Sequence, residues 1–150
     1  MFKLKQIISI ALIFGGPKLW ASLGDDESGI NSDTNKLSAV QKSAVAHSAY
    51  KVHRLQLTTA TVNEYASPSG KIFAVTWRGI AKPDLSVLLG AYYQEYVSAV
   101  KDNGRPRGRR ATSLVTNHTK IEISGHMRDV RGRASIPSLV PAGVKVETLQ

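Results

Sequence analysis

The chain contains no cysteine, which excludes disulfides, thiolate metal sites, a cysteine nucleophile and a lipid-modified cysteine behind a leader. Acidic residues are scarce, 11 against 20 lysines and arginines, and Asp25, Asp26, Glu27 and Asp33 crowd one short stretch. Paired carboxylates for glycoside hydrolysis would have to come from Glu64, Asp84, Glu95, Glu122 or Asp129, a thin supply. Asp84 is already placed to favour a helix start, and Glu95 is expected to face solvent. The sequence also lacks a G-x-S-x-G elbow. Ser69, in Ser67-Pro68-Ser69-Gly70, belongs to a hairpin turn rather than to a nucleophile. The four histidines, His47, His53, His118 and His126, lack the i, i+4 or i, i+2 spacing of a metal pair. Neither a metal nor a cofactor is therefore expected, and His126 is assigned a structural hydrogen bond near Gly125.

Long apolar runs are missing as well. The run from Ile7 to Phe14 falls well short of the roughly 20 residues a membrane-spanning helix needs. It follows Lys3 and Lys5 and precedes Gly15, Gly16, Pro17 and the small residue Ala21, the layout of a secretory leader over residues 1–21. Cleavage after Ala21 leaves 129 residues and lowers the formal charge from +9 to +6, because Lys3, Lys5 and Lys18 depart. A chain of that length buries about two thirds of its surface without covalent staples. An exported protein with no stable membrane span is expected.

Aromatic residues are few, 7% of the chain. Beyond the leader they gather in one region: Tyr50, Tyr65, Phe73, Trp77, Tyr92, Tyr93 and Tyr96. The core is expected there, in a domain spanning residues 50–150. Residues 22–49 are small and polar and read as an extended or poorly ordered arm, with a thin helical pattern at Leu37, Val40 and Ala44. Residues 50–57 and 61–66 read as a hairpin. Ile72 to Trp77 is apolar on both faces and reads as a central strand. Pro83 and Asp84 start a helix whose stripe is Leu85, Leu88, Leu89, Tyr92, Tyr96 and Val100. Gly90 inside it implies the close approach of another backbone. Residues 113–124 and 126–136 read as a second antiparallel pair turning near Gly125, and Val144 to Leu149 as a short edge strand. The expected fold class is α+β: an antiparallel sheet of about five strands with one amphipathic helix across one face.

Arg105, Arg107, Arg109 and Arg110 form the most basic spot. Joined by Arg128, Arg131 and Arg133, they would suit bidentate binding of phosphate or sulfate groups, against the alternative of a solvated charged loop. Nucleic acid is disfavoured, since the aromatics are expected to be buried and to leave no stacking platform.

The blocks Ser22-Leu23-Gly24, Asn63-Glu64-Tyr65, Gly70-Lys71-Ile72-Phe73-Ala74-Val75-Thr76-Trp77, Pro83-Asp84-Leu85, Leu88-Leu89-Gly90-Ala91-Tyr92-Tyr93, Gly125-His126-Met127, Gly132-Arg133-Ala134 and Pro137 through Pro141-Ala142-Gly143-Val144 carry a resemblance. The chain resembles the small exported bacterial family known as domain of unknown function 2844. It departs from the family pattern at Ile80-Ala81-Lys82, where a proline more often follows the glycine. The resemblance implies export in a Gram-negative bacterium, to the periplasm or beyond, and implies no reaction. A non-enzymatic binding or accessory module is the favoured function. Its ligand is left open, an anionic envelope polymer or another exported protein being the candidates, and a protein that binds an envelope polyanion through the arginine loop is the first alternative. A hydrolase using Glu64, His126 and Arg133 is the remaining alternative. Any site is expected at the margin from Trp77 to Lys82 or on the basic loop.

Overall fold

The structure, a computed structural model, describes residues 22–103 and 111–150. Seven strands form one sheet: β1 (Val40–Ala46), β2 (Lys51–Gln56), β3 (Ala60–Ala66), β4 (Ile72–Gly79), β5 (Ala111–Val115), β6 (Lys120–His126) and β7 (Asp129–Ser135). Their spatial order is β1-β2-β3-β4-β7-β6-β5, and every pairing is antiparallel. Between β4 and β5 the chain crosses through α2 (Leu85–Leu89), a 3-10 turn (Gly90–Tyr92) and α3 (Tyr93–Asn103), and a short α1 (Ile30–Lys36) precedes β1. Among the described residues no helix is long and apolar enough to cross a membrane.

Period-2 alternation divides the sheet into two faces. The row His53, Glu64, Val75, Ala134, Ile121 and Leu114 lies on one face. So does the row Leu55, Val62, Trp77, Gly132 and Ile123, and both rows meet Leu85, Leu88 and Leu89 of α2 together with Leu23 and Ile30. The other face carries Arg54, Asn63, Thr76, Arg133 and Glu122, and beside them Val52, Tyr65, Ala74 and Ser135. There a smaller cluster of Tyr65, Phe73, Ala74 and Leu149 is covered by the extended C-terminal segment. Leu55, Val62, Ile72, Phe73 and Val75 are wholly buried. β4, central in the sheet and covered on both faces, matches its apolar pattern.

The five-strand α+β expectation is wrong: the protein is mostly β, with seven strands and a broken helical crossover. Two strands account for the difference. β1 occupies the stretch where a thin helix and an arm were expected, because Val40 and Ala44 at i, i+4 suit a helix while the segment finds a hydrogen-bonding partner in β2. Residues 113–124 hold two strands, split by a turn in which the backbone N–H of Thr119 donates to Thr116 Oγ1 at 2.9 Å. Threonine hydroxyls make that turn without glycine or proline. The single helix breaks at Gly90, whose φ is +49°. Of the two pieces α2 carries the buried residues, Leu85, Leu88 and Leu89, and α3 has none. Asp84, rather than lying in the first turn, is the N-cap: its carboxylate accepts from the Ser86 amide at 2.8 Å.

Two further expectations are corrected. Residues 22–49 are not a poorly ordered arm, since Leu23 and Ile30 belong to the core. Residues 144–149 do not add an edge strand but turn through a 3-10 segment, Val146–Thr148. Gly90 does abut another segment, yet the neighbour is the Ser22 side chain rather than a strand.

Candidate functional site

On the face opposite α2, the end of the sheet formed by β1 and β2 is left partly open by the C-terminal segment. Alternation along β2 points Val52 and Arg54 to this face and sends His53 and Leu55 to the other. The tight connection from β1 to β2, closed by a 2.8 Å hydrogen bond from the His47 amide to the Tyr50 carbonyl, presents both side chains beside them. The His47 and Tyr50 rings stack with centroids 4.8 Å apart, and Tyr50 meets Tyr65 edge-on at 5.8 Å. A cavity of about 380 Å³ results, lined by His47, Tyr50, Arg54, Tyr65, Thr148 and Gln150 among others.

Two donors of its floor meet on one oxygen: Tyr65 Oη donates to the main-chain oxygen of Gln150 at 2.6 Å, and Asn63 Nδ2 donates to the same oxygen at 2.7 Å. Arg54 Nε donates to Asn63 Oδ1 at 3.1 Å, which orients that amide. Burial pushes the Tyr65 phenol above its ordinary range, so it stays a neutral donor. Arg54 is exposed and makes no ion pair among the described residues.

Arg78, Arg131 and Arg133 on this face each meet a carboxylate. Arg78 and Arg131 both reach Asp129, at 3.2 and 2.8 Å. Arg133 pairs with Glu122 and donates to the Val146 carbonyl at 2.9 Å. Hydrogen bonding from Arg131 holds Asp129 below the usual carboxylate range, and hydrogen bonding from Arg133 does so for Glu122. Arg131 and Arg133 therefore spend their charge within the sheet. Arg128 sits exposed in the β6–β7 turn at φ +68°. Arg105, Arg107, Arg109 and Arg110 lie outside the described residues. The strand β5 that follows them is the edge opposite β1.

The residues of the hydrolase alternative are not gathered. Glu64 is buried on the α2 face, Arg133 points to the other face, and His126 is exposed at the end of β6. Other polar groups make structural ties. Glu27 accepts from Lys51 at 2.6 Å and meets the buried His53 at 2.9 Å. Burial would raise the Glu27 pKa, but the Lys51 hydrogen bond and the charges of His53 and Lys51 outweigh it and hold it low. Glu95 is not simply solvated. It accepts from Thr116 at 2.8 Å and meets His118 at 2.6 Å, pinning the β5–β6 turn to α3, and the Thr116 bond lowers its pKa. The margin from Trp77 to Lys82 holds a buried indole followed by exposed Ile80, Ala81 and Lys82. No group of three or more histidine, aspartate or glutamate side chains suited to a metal occurs among the described residues.

Sequence reasoning missed His47, Tyr50 and Arg54. The signal was present in part, since Val52 and Arg54 alternate with His53 and Leu55. Thr148 and Gln150, however, join them only through the fold. A model of the family described as Protein of unknown function (DUF2844) matches residues 20–149. The chain belongs to that family. No curated protein and no solved structure matches it.

Proposed function

We propose that this DUF2844 protein is an exported, non-enzymatic binding module whose β1–β2 groove takes an acidic sugar, alone or as a unit of an anionic envelope polymer. The leader-like residues 1–21 support export. The observation that carries the ligand class is Arg54: an exposed guanidinium without a carboxylate partner among the described residues, beside stacked rings, while Arg78, Arg131 and Arg133 are paired. A guanidinium recognises a carboxylate or sulfate bidentately. An aromatic face packs against the C–H face of a sugar ring, and about 380 Å³ is the scale of a small-ligand pocket.

The test is calorimetric titration with glucuronate oligosaccharide and with its neutral glucose counterpart. The acidic ligand is expected to bind, more weakly at high salt, and Arg54→Ala and Tyr50→Ala should each reduce affinity about tenfold or more. Equal binding of both ligands, or indifference to Arg54→Ala, would remove this reading. The arginine run at residues 105–110, outside the described residues, is the alternative polyanion-binding element. Arg107, Arg109 and Arg110 changed together to alanine distinguish it: salt-sensitive binding lost there and retained in Arg54→Ala would move the site to the loop.

A further inference from the structure

The six residues that follow the expected leader do not trail from the domain. The Leu23 amide donates to the Leu88 carbonyl at 3.0 Å and the Gly24 amide to the Ile72 carbonyl at 2.8 Å. The Ile72 amide returns a bond to the Asp25 carbonyl at 2.9 Å, and the Glu27 amide reaches the Gly70 carbonyl at 2.8 Å. The segment is thus clamped between the start of β4 and α2, with Leu23 in the core.

Ser22, the first residue after the expected cut, is only 1% exposed. Its hydroxyl donates to Asp25 Oδ2. The fold makes room for it at one place. A Cβ on Gly90 would stand 2.0 Å from Ser22 Oγ, and Gly90 also holds φ +49°, so glycine is required both for space and for conformation. Ser22, Asp25, Ser86, Gly90 and Ala91 line a cavity of about 360 Å³. Among the described residues Asp25 is the only charged group in that lining. Ser86 adds a hydroxyl, but it donates to Asp84 Oδ1 at 2.6 Å.

We infer that this pocket is a receptor for the α-amino group of Ser22, created by hydrolysis of the bond between Ala21 and Ser22. The inference rests on the export reading above. In that hydrolysis water supplies the hydroxyl of the new Ala21 carboxylate and the proton of the Ser22 amine, which takes up a further proton at neutral pH. A peptidase needs an accessible, extended bond, so cutting beside a residue buried this deeply precedes docking. A serine nitrogen and its own Oγ are three bonds apart, about 3–4 Å in any staggered rotamer. The new ammonium therefore arises beside the hydroxyl that Asp25 already holds, and the proposal places it in the field of that carboxylate. The cut exchanges a neutral amide for a cation opposite a waiting anion, so processing strengthens the clamp on Leu23 and Gly24.

The test starts from the full chain, expressed in a Gram-negative host and purified from the periplasm. Intact mass reports the first residue, and labelling with an amine-reactive ester, located by peptide mass spectrometry, reports the reactivity of its amine. The chain is expected to begin at Ser22, and its amine to react at least tenfold more slowly in the native protein than in urea. Asp25→Asn should recover most of that difference, whereas Ser22→Ala should retain it. A chain beginning at Ser22 whose amine reacts equally fast in both states removes the receptor and leaves export standing. Protection unchanged in Asp25→Asn reduces it to burial and also overturns the inference. A first residue other than Ser22, or no release to the periplasm, overturns the processing reading itself.

Discussion

Alanine at position 132 would place a methyl group inside the indole of Trp77. Gly132 lies on β7 directly opposite Trp77 of β4, and the ring covers it: an added Cβ would stand 2.0 Å from Cζ2, 2.3 Å from Cε2 and 2.8 Å from Cη2. Carbon atoms in contact rest about 3.5–4.0 Å apart, so the indole must retreat by roughly 1.5–2 Å. Trp77 is 2% exposed within the main core and has nowhere to go without displacing neighbours. Overpacking of this kind costs about 1–3 kcal/mol. The lost backbone freedom of the unfolded chain returns about 0.4–1 kcal/mol. A net destabilisation of about 1–2 kcal/mol follows, a fall in Tm of roughly 2–8 °C at this chain length. Trp20 and Trp77 are the two tryptophans, so in a Trp20→Phe background fluorescence reports Trp77 alone. Urea titration should show a lower midpoint at unchanged slope and an altered native emission. Gly132→Ala should cost almost nothing once Trp77→Leu has removed the ring. Additive effects of the two substitutions, or an unchanged midpoint in the single variant, would refute the account.

Leu88→Ala, at a wholly buried position where α2 meets the sheet, should cost about 2–5 kcal/mol by chemical denaturation, and a loss below about 1 would mean that α2 is not part of the core. Carboxyl pKa values are lowered at Glu122 by Arg133, at Asp129 by Arg131 and at Glu95 by Thr116. Their stabilisation is full above the unfolded carboxyl pKa of about 4–4.5 and is lost as pH falls through the depressed folded values. The urea midpoint should thus drop between about pH 5 and 3, less steeply in Glu122→Gln, and a flat profile would contradict these pairings. The Tyr65 phenol, raised by burial, works in the opposite sense: its contribution is complete below the ordinary tyrosine pKa of about 10 and is lost as pH climbs through the folded value. Tyr65→Phe should lose about 1 kcal/mol at neutral pH with the bond to Gln150, and should flatten the alkaline limb of a pH–stability curve.

What was legible in the sequence was local. Ile72 to Trp77 declared a central strand because both of its alternating faces are apolar, and residues 50–66 declared a hairpin because β-branched and aromatic residues alternate on either side of a short break. β1 was not legible. An edge strand with few large apolar residues carries no strong period, and Val40 with Ala44 fits a helical face equally well. The turn at Thr116–Thr119 escaped because hydroxyl-to-backbone hydrogen bonds replace glycine and proline there. Gly90 was conspicuous, but its sequence neighbourhood does not say that Ser22, far away in the chain, fills the space beside it. The groove shows the same limit: His47, Arg54 and Thr148 share a lining only after the C-terminal segment has crossed the sheet.

The pairing of β4 with β7 also bears on how the chain reaches this state. Five of the six pairings join consecutive strands and close through short turns, whereas this one sets Ala74 opposite Ser135 across the whole crossover. The two meanders, β1 to β4 and β5 to β7, are local and are free to assemble on their own, while the seam between them carries the loop-closure cost of the crossover. Closure of that seam is therefore expected to limit the folding rate. Substitutions at Val75 or Ala134 would slow folding, and substitutions in β1 would mainly speed unfolding. Until the seam closes, β4 and β7 each present an unpaired edge, so two chains at high concentration have a ready route to exchange halves.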